Sequence, residues 1–233
     1  MQQQVRTASK SEQPLSDTSA AVFVPSQEDL RRAGVTQIAD ALRLVPGFHV
    51  ARIDAGKWAV SGRGFNGRYA NKLLVMIDGR ILYTPTFSGV YWETFDLLLD
   101  DIERIEVVRG PGASVWGANT FNGVVNLVTK SAEDGSGELL SVVSGNEDRL
   151  IAAGRAGGDF GDFGHLRLYA KHLDRDGMVD ITGGDAGDDW YLSRIGFRAD
   201  LPYAGHGDFM LQGDIYTGSL RQNFTVPSLN DSS

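Results

Sequence analysis

Residues 101–130 read DIERIEVVRGPGASVWGANTFNGVVNLVTK. Ile102, Ile105, Val107 and Val108 supply the β-branched side chains of a strand, and Arg109-Gly110-Pro111-Gly112 ends it. An Ala113-Ser114-Val115-Trp116 turn leads into Gly117-Ala118-Asn119. Asn122-Gly123 is a tight-turn signal, and Val124 to Thr129 is a second strand. The stretch therefore predicts two strands joined by a glycine-rich elbow that carries Arg109 and Trp116.

Working upstream, Thr84 to Trp92 is a loop with apolar and aromatic residues. Leu73 to Ile77 is an apolar strand closed by Asp78-Gly79, a hairpin signal, with Arg80 to Tyr83 returning. Phe48 to Ile53 and Trp58 to Ser61 flank Asp54-Ala55-Gly56 as short strands. Ser26-Gln27-Glu28-Asp29 is a capping-box start for a helix that ends at Gly34. Thr36 can cap a second short helix whose Ile38, Leu42 and Val45 share a face, and Pro46-Gly47 stops it. Ala21 to Val24 reads as a strand. Residues 1–20 are polar, without periodicity, and default to an extended or mobile segment. They lack an apolar core, so no signal peptide is read in this numbering.

The order of these motifs resembles the plug domain of TonB-dependent outer-membrane receptors. Ala41-Leu42-Arg43-Leu44-Val45-Pro46-Gly47, Ile77-Asp78-Gly79, Ile105-Glu106-Val107-Val108-Arg109-Gly110-Pro111, Trp116-Gly117-Ala118-Asn119 and Asn122-Gly123-Val124 carry the resemblance. It implies an α+β plug, a mixed sheet with short helices, over residues 21–131. It implies that Arg63 and Arg109, in Arg-Gly-Phe and Arg-Gly-Pro, anchor the plug to glutamates on a barrel wall. It implies that Arg68, Tyr69, Phe87, Tyr91 and Trp92 lie in ligand-facing loops; packing against the wall is the alternative. Gln4, Val5, Arg6, Thr7 and Ala8 match the tail of the segment that pairs with TonB, the energy-transducing partner; a mobile leader is the alternative.

From Gly137 onward the period becomes two. Leu166, Leu168 and Ala170 alternate with Arg167, Tyr169 and Lys171, and similar alternation fills 137–144, 149–157, 190–201 and 207–217. Such segments suit transmembrane β-strands, but a water-soluble sheet with one buried face has the same period. Following a plug, they are read as about five first strands of an antiparallel transmembrane barrel over 132–233, incomplete in this chain. Short Gly158–Phe163 and Pro202–Gly207 connections and the longer acidic Asp174–Asp189 loop fit the two ends of such a wall.

The chain has 233 residues, of which 29 are glycine and none cysteine, and a formal charge of −8. The glycine content favours turns and strands, the absence of cysteine excludes disulfides and thiolate metal sites, and the negative charge argues against nucleic acid. Gly62-Arg63-Gly64-Phe65-Asn66-Gly67 imitates a dinucleotide fingerprint, but too few residues precede the next strand for a crossover helix. The histidines at 49, 165, 172 and 206 lack metal-ligand spacing, and the acidic loop lacks EF-hand spacing. No nucleophile elbow is present. No catalysis, metal or cofactor is expected. The resemblance implies a receptor in the bacterial outer membrane, in contact with its lipid. It would take up a scarce large nutrient such as a ferric siderophore, haem or cobalamin, the siderophore being the default. A non-transporting plug-type binding module is the second reading.

Overall fold

The computed structural model describes residues 4–8, 13–14, 16, 21–64, 66–69, 72–84, 86, 89–110, 116–117, 120–203 and 207–223. Strands β1 (Gln4–Val5) and β2 (Gln13–Pro14) form a small antiparallel pair. They are followed by β3 (Ala21–Phe23), α1 (Gln27–Arg32) and α2 (Ile38–Ala41). The hairpin β4 (Phe48–Asp54) and β5 (Lys57–Gly62), the hairpin β6 (Leu73–Ile77) and β7 (Arg80–Ile81), and β8 (Ile102–Arg109) and β9 (Gly123–Thr129) complete the first half.

The quoted stretch lies at the centre of a mixed five-stranded sheet of order β3-β8-β9-β6-β7, in which β9 pairs antiparallel to β8 and parallel to β6. At its elbow end Arg109 pairs with Gly123, whose φ is +146°. A Cβ there would stand 2.6 Å from the Val108 carbonyl oxygen, so the turn needs glycine. Both sheet faces are buried, as the nearly continuous apolar runs of β6 and β9 require. Ile105, Val107, Val75, Ile77, Val125 and Leu127 join the main core with α1, α2 and the β4–β5 hairpin. Leu74, Met76, Val108 and Val124 form a smaller cluster on the other face.

Helix α1 has the predicted capping box: Ser26 Oγ accepts from the Asp29 amide, and the Asp29 carboxylate accepts from the Ser26 amide. These hydrogen bonds hold the Asp29 carboxyl below its usual range. Ser26→Ala is expected to cost about 1 kcal/mol of local stability. A depressed carboxyl contributes stability above its unfolded pKa and loses it as pH falls through the folded one. The penalty should therefore shrink under acid, as read from hydrogen exchange of the α1 amides. Helix α2 departs from expectation. Its N-cap is Gln37, with no side-chain cap bond. The Thr36 hydroxyl instead donates to Asp148, 2.9 Å away in the second half of the chain.

That second half is an open antiparallel meander: β10 (Gly137–Val143), β11 (Asp148–Asp159), β12 (His165–Arg175), β13 (Trp190–Tyr203) and β14 (Gly207–Leu220). Its strands run longer than the alternation alone marks, because pairing continues past the apolar positions into polar ends. The register aligns Leu140, Gly154, Ala170, Ile195 and Ile215 in one row across all five strands. This apolar face points away from the rest of the chain. Leu140 is 82 % exposed, Leu168 53 %, Ile195 57 % and Ile215 71 %. The charged face is buried: Arg167 is 3 % exposed, Lys171 5 %, Arg175 2 % and Arg194 4 %. A water-soluble sheet has the opposite polarity, so this is the wall of a membrane barrel.

Candidate functional site

The buried face of the wall sets an electrostatic problem that plug and wall carboxylates solve together. Arg167 lies directly opposite Arg198, and Lys171 opposite Arg194. Like charges in such register repel. Plug carboxylates interleave with them. Lys171 Nζ lies 2.5 Å from Asp96 Oδ1, with both side chains almost wholly buried, and also donates to the Leu97 carbonyl. Asp101 receives two guanidinium groups. Arg155 Nη1 donates to Oδ1 at 2.6 Å, while Arg167 Nε stands 3.3 Å from Oδ2 as an ion pair outside hydrogen-bond geometry. Arg167 further holds the Lys130 and Ser131 carbonyls, where the chain leaves the plug for β10. Arg198 bonds Thr129 at 2.7 Å, and Thr129 in turn donates to Asp78. Arg194 pairs with Asp214 and donates to the Thr94 carbonyl.

Toward the end of the wall that carries the long 176–189 loop, the interface becomes apolar. Ile151, Leu173, Trp190 and Leu192 belong to the same core cluster as Trp58 and Leu42 of the plug. The Trp190 indole meets Trp58 edge-on with centroids 6.3 Å apart and donates to the Ala55 carbonyl at 3.0 Å. Asp188 accepts the Ala55 amide. At Gly56 a Cβ would fall 2.3 Å from the Leu220 side chain and 3.1 Å from the Trp190 ring, so a larger residue at the tip of the β4–β5 hairpin would have to displace the wall side chains. Arg175 closes this end, bonding Asp148 through Nε at 2.6 Å beside Thr36.

Arg63 and Arg109 meet at the elbow end of the plug sheet. Arg63 adopts φ +57°, and its guanidinium packs over Gly110. Arg109 Nη1 donates to the Pro46 carbonyl at 3.3 Å. Among the described residues neither guanidinium pairs with a carboxylate. Arg68, Tyr69 and Tyr91 come together as a cluster with Glu93. The two tyrosine rings meet edge-on at 5.7 Å, and the Arg68 guanidinium lies 5.0 Å and 5.9 Å from their centroids. Arg68 pairs with Glu93 at 3.1 Å. Burial pushes the Glu93 carboxyl up, and Arg68 opposes that. Arg68→Ala should therefore move the Glu93 titration higher still, measured by carbonyl-carbon NMR. With a raised folded pKa, the contribution of Glu93 to stability is present at low pH and is lost as pH rises through that value.

Trp92 corrects the expectation of a loop-surface ring: it is buried in the plug core. Phe87 lies outside the described residues. A cavity of about 860 Å³ separates the plug from β12–β14 and is bordered by Asp78, Arg80, Tyr91, Arg194, Arg198 and Tyr216. Among the described residues no group of three or more His, Cys, Asp or Glu side chains is placed to hold a metal ion.

Within the N-terminal segment, residues 4–8 pack against the plug. Val5 and Thr7 are buried. Thr7 is held by Glu106, Asn126 and Trp116. Asp96 and Asp101 have only an indirect signal in the sequence: a run of cations on one side of alternating strands calls for acids facing it.

Comparison with known proteins agrees with this geometry. Residues 14–124 match the TonB-dependent Receptor Plug Domain. The chain is 29 % identical over 185 residues to the vitamin B12 transporter BtuB of Vibrio vulnificus, covering 78 % of this chain and 29 % of that protein. It is 26 % identical over 215 residues to the vitamin B12 transporter BtuB of Photobacterium profundum, covering 84 % of this chain and 35 % of that protein. The chain thus spans about a third of the length of these relatives. Among solved structures, the ferric yersiniabactin uptake receptor FyuA from Yersinia pestis superposes with a TM-score of 0.66 at 20 % identity, over 87 % of this chain and 32 % of that one. The copper transporter OprC gives 0.68 at 18 % identity, over 86 % and 31 %. Residues 14–124 thus carry the plug domain of the TonB-dependent receptors, seated on strands whose apolar side faces outward.

Proposed function

We propose that the protein to which this chain belongs takes up a scarce, large nutrient across the outer membrane, with TonB transmitting energy from the inner membrane. The observation that carries the reading is the polarity of the wall: apolar side chains outward, and cations inward against plug carboxylates. That arrangement suits a cork held in a lipid-embedded cylinder, and it has no use in a free-standing binding module. Ligand would meet the plug and wall loops, with the Arg68–Tyr69–Tyr91 cluster as a recognition surface for a partly apolar, anionic ligand. Phe87 belongs to the same proposed set. Residues Gln4 to Ala8 would pair with TonB. Arg63 and Arg109, adjacent and without a carboxylate among the described residues, would be neutralised by acids on other wall strands.

A ferric siderophore is the first ligand reading. Cobalamin is the second, favoured by the sequence likeness to two vitamin B12 transporters. The test is deletion of the full-length gene, followed by uptake assays with labelled ferric siderophores, haem and cobalamin. Loss of one uptake, restored by the gene and dependent on TonB, identifies the cargo. Unchanged uptake across the panel sinks the reading.

A further inference from the structure

We propose that the cavity of about 860 Å³ between the plug and β12–β14 is a second binding site, which takes a flat anionic group of the cargo after the outer loops, and that Arg80 is its anchoring cation. The inference deepens the uptake reading and rests on it for the order of the two sites.

Charge is the first argument. The border carries the guanidinium groups of Arg80, Arg167, Arg194 and Arg198 against the carboxylates of Asp78, Asp101 and Asp214. Each acid is already engaged. Asp78 accepts the Thr129 amide and the Thr129 hydroxyl, both at 2.8 Å. Asp101 accepts Arg155, and Asp214 pairs with Arg194. Arg198 is held by Thr129 and Asp200, and Arg167 stands beside Asp101. Among these cations Arg80 alone makes no ion pair with a described residue. It is also exposed, so a solute can reach it.

A rigid turn holds Arg80 in place. Asp78 and Gly79 have φ of +49° and +82°, as a two-residue hairpin turn requires. The Asp78 amide donates to the Leu127 carbonyl at 2.9 Å and the Gly79 amide to Asn126 Oδ1 at 3.1 Å, which ties the turn to β9. Arg80 follows directly, opposite Ile77.

A cleft with low-dielectric walls and an excess of one charge focuses the field and concentrates ions of the other sign. Arg194 adds an unmet donor: it is 4 % exposed, and its Nε has no hydrogen-bond partner among the described residues. Its guanidinium lies 4.8 Å from the Tyr216 ring, and Tyr91 and Tyr169 supply two further rings. Arginine beside tyrosine faces suits a carboxylate or phenolate carried on an aromatic ring. The volume is that of an ordinary small-molecule site. Tyr91 also belongs to the outer cluster, 5.7 Å from the Tyr69 ring, so the two sites share a residue.

The experiment uses the full-length receptor in lipid nanodiscs. Residues 1–233 contain no cysteine, so in a background without other cysteines one thiol reports on the cavity. Thr84→Cys places it on the border, and Met210→Cys serves if the first variant folds poorly. The thiol is labelled with an anionic sulfonatoethyl or a cationic trimethylammonioethyl methanethiosulfonate. The ratio of the two rates is divided by the same ratio for free cysteine. The anionic reagent should be favoured about tenfold. Arg80→Gln should bring the ratio close to one, and Arg80→Lys should keep most of it. Salicylate at pH 7 should slow the labelling severalfold, and less so in Arg80→Gln. Benzamide, a neutral molecule with the same ring, should not protect. A ratio near one in the parent, or no labelling by either reagent at both positions, overturns the site. Anion preference without protection by salicylate overturns binding, and equal protection by benzamide overturns the role of Arg80. No cargo enters this measurement, so its failure leaves the uptake reading intact. Unchanged uptake across the nutrient panel, with labelling as expected, removes the order of the two sites but not the inner site.

Discussion

Replacing Asp101 by alanine should weaken the seating of the plug by about 3–5 kcal/mol, the cost of stranding a buried ion-pair partner. Asp101 is 5 % exposed and faces two guanidinium groups, that of Arg167, almost wholly buried, and that of Arg155, largely buried. Without the carboxylate, Arg167 still faces Arg198 across the β12–β13 register and keeps the Lys130 and Ser131 carbonyls, with Asp200 as the remaining nearby acid. Neighbouring Asp100, partly exposed and bonded to Gln27 at 3.3 Å, is the control, and its alanine variant should cost less than about 1 kcal/mol. Denaturant unfolding of the full-length receptor, with protease cleavage inside the plug as a second readout, measures both. Equal midpoints for Asp101→Ala and the parent would show that the pair contributes nothing. A combined Asp101→Leu, Arg155→Met, Arg167→Met variant should recover much of the loss, because a buried charge cluster replaced as a whole by apolar groups is often neutral.

The second large effect is expected on the outward face. Ile195→Arg places a cation in the middle of the row that runs from Leu140 to Ile215. On the lipid side of a barrel strand this costs about 2–4 kcal/mol near the midplane. On a water-facing surface the same change would stay within about 0.5 kcal/mol. Ile181, fully exposed in the 176–189 loop, supplies the internal comparison, since its arginine variant should be neutral. Folding of the full-length protein into lipid vesicles, followed by urea titration, separates the two positions. Two neutral substitutions would mean that β13 does not face lipid.

These expectations differ in how much of them a reader of the sequence could reach. The β8–elbow–β9 unit was legible because its determinants are local. β-Branched residues favour strands, Arg109-Gly110-Pro111 ends one, and the turn before β9 needs glycine at 123. The capping box of α1 and the Asp78-Gly79 turn, with φ of +49° and +82°, are local in the same sense. The five later strands were legible from period two alone, although alternation understated their lengths.

What alternation leaves open is which face meets the protein. Leu168 and Arg167 have the same spacing whether the leucine is buried in a soluble sheet or set against lipid. Only the plug, packed on the arginine side, decides between them. Its grip joins residues far apart in sequence, Asp96 with Lys171 and Asp101 with Arg155, separated by 75 and 54 positions. No window of sequence can pair such charges. The same holds for Thr36, drawn from its expected helix cap to Asp148, for Trp92, drawn into the core, and for Thr7, held by Glu106 across 99 positions. Sequence by itself determined the strands, turns and caps, because those follow from short-range sterics and hydrogen bonding. Tertiary structure alone decided which carboxylate meets which cation and which face turns outward, because burial and charge pairing depend on neighbours that the chain brings together only when it folds.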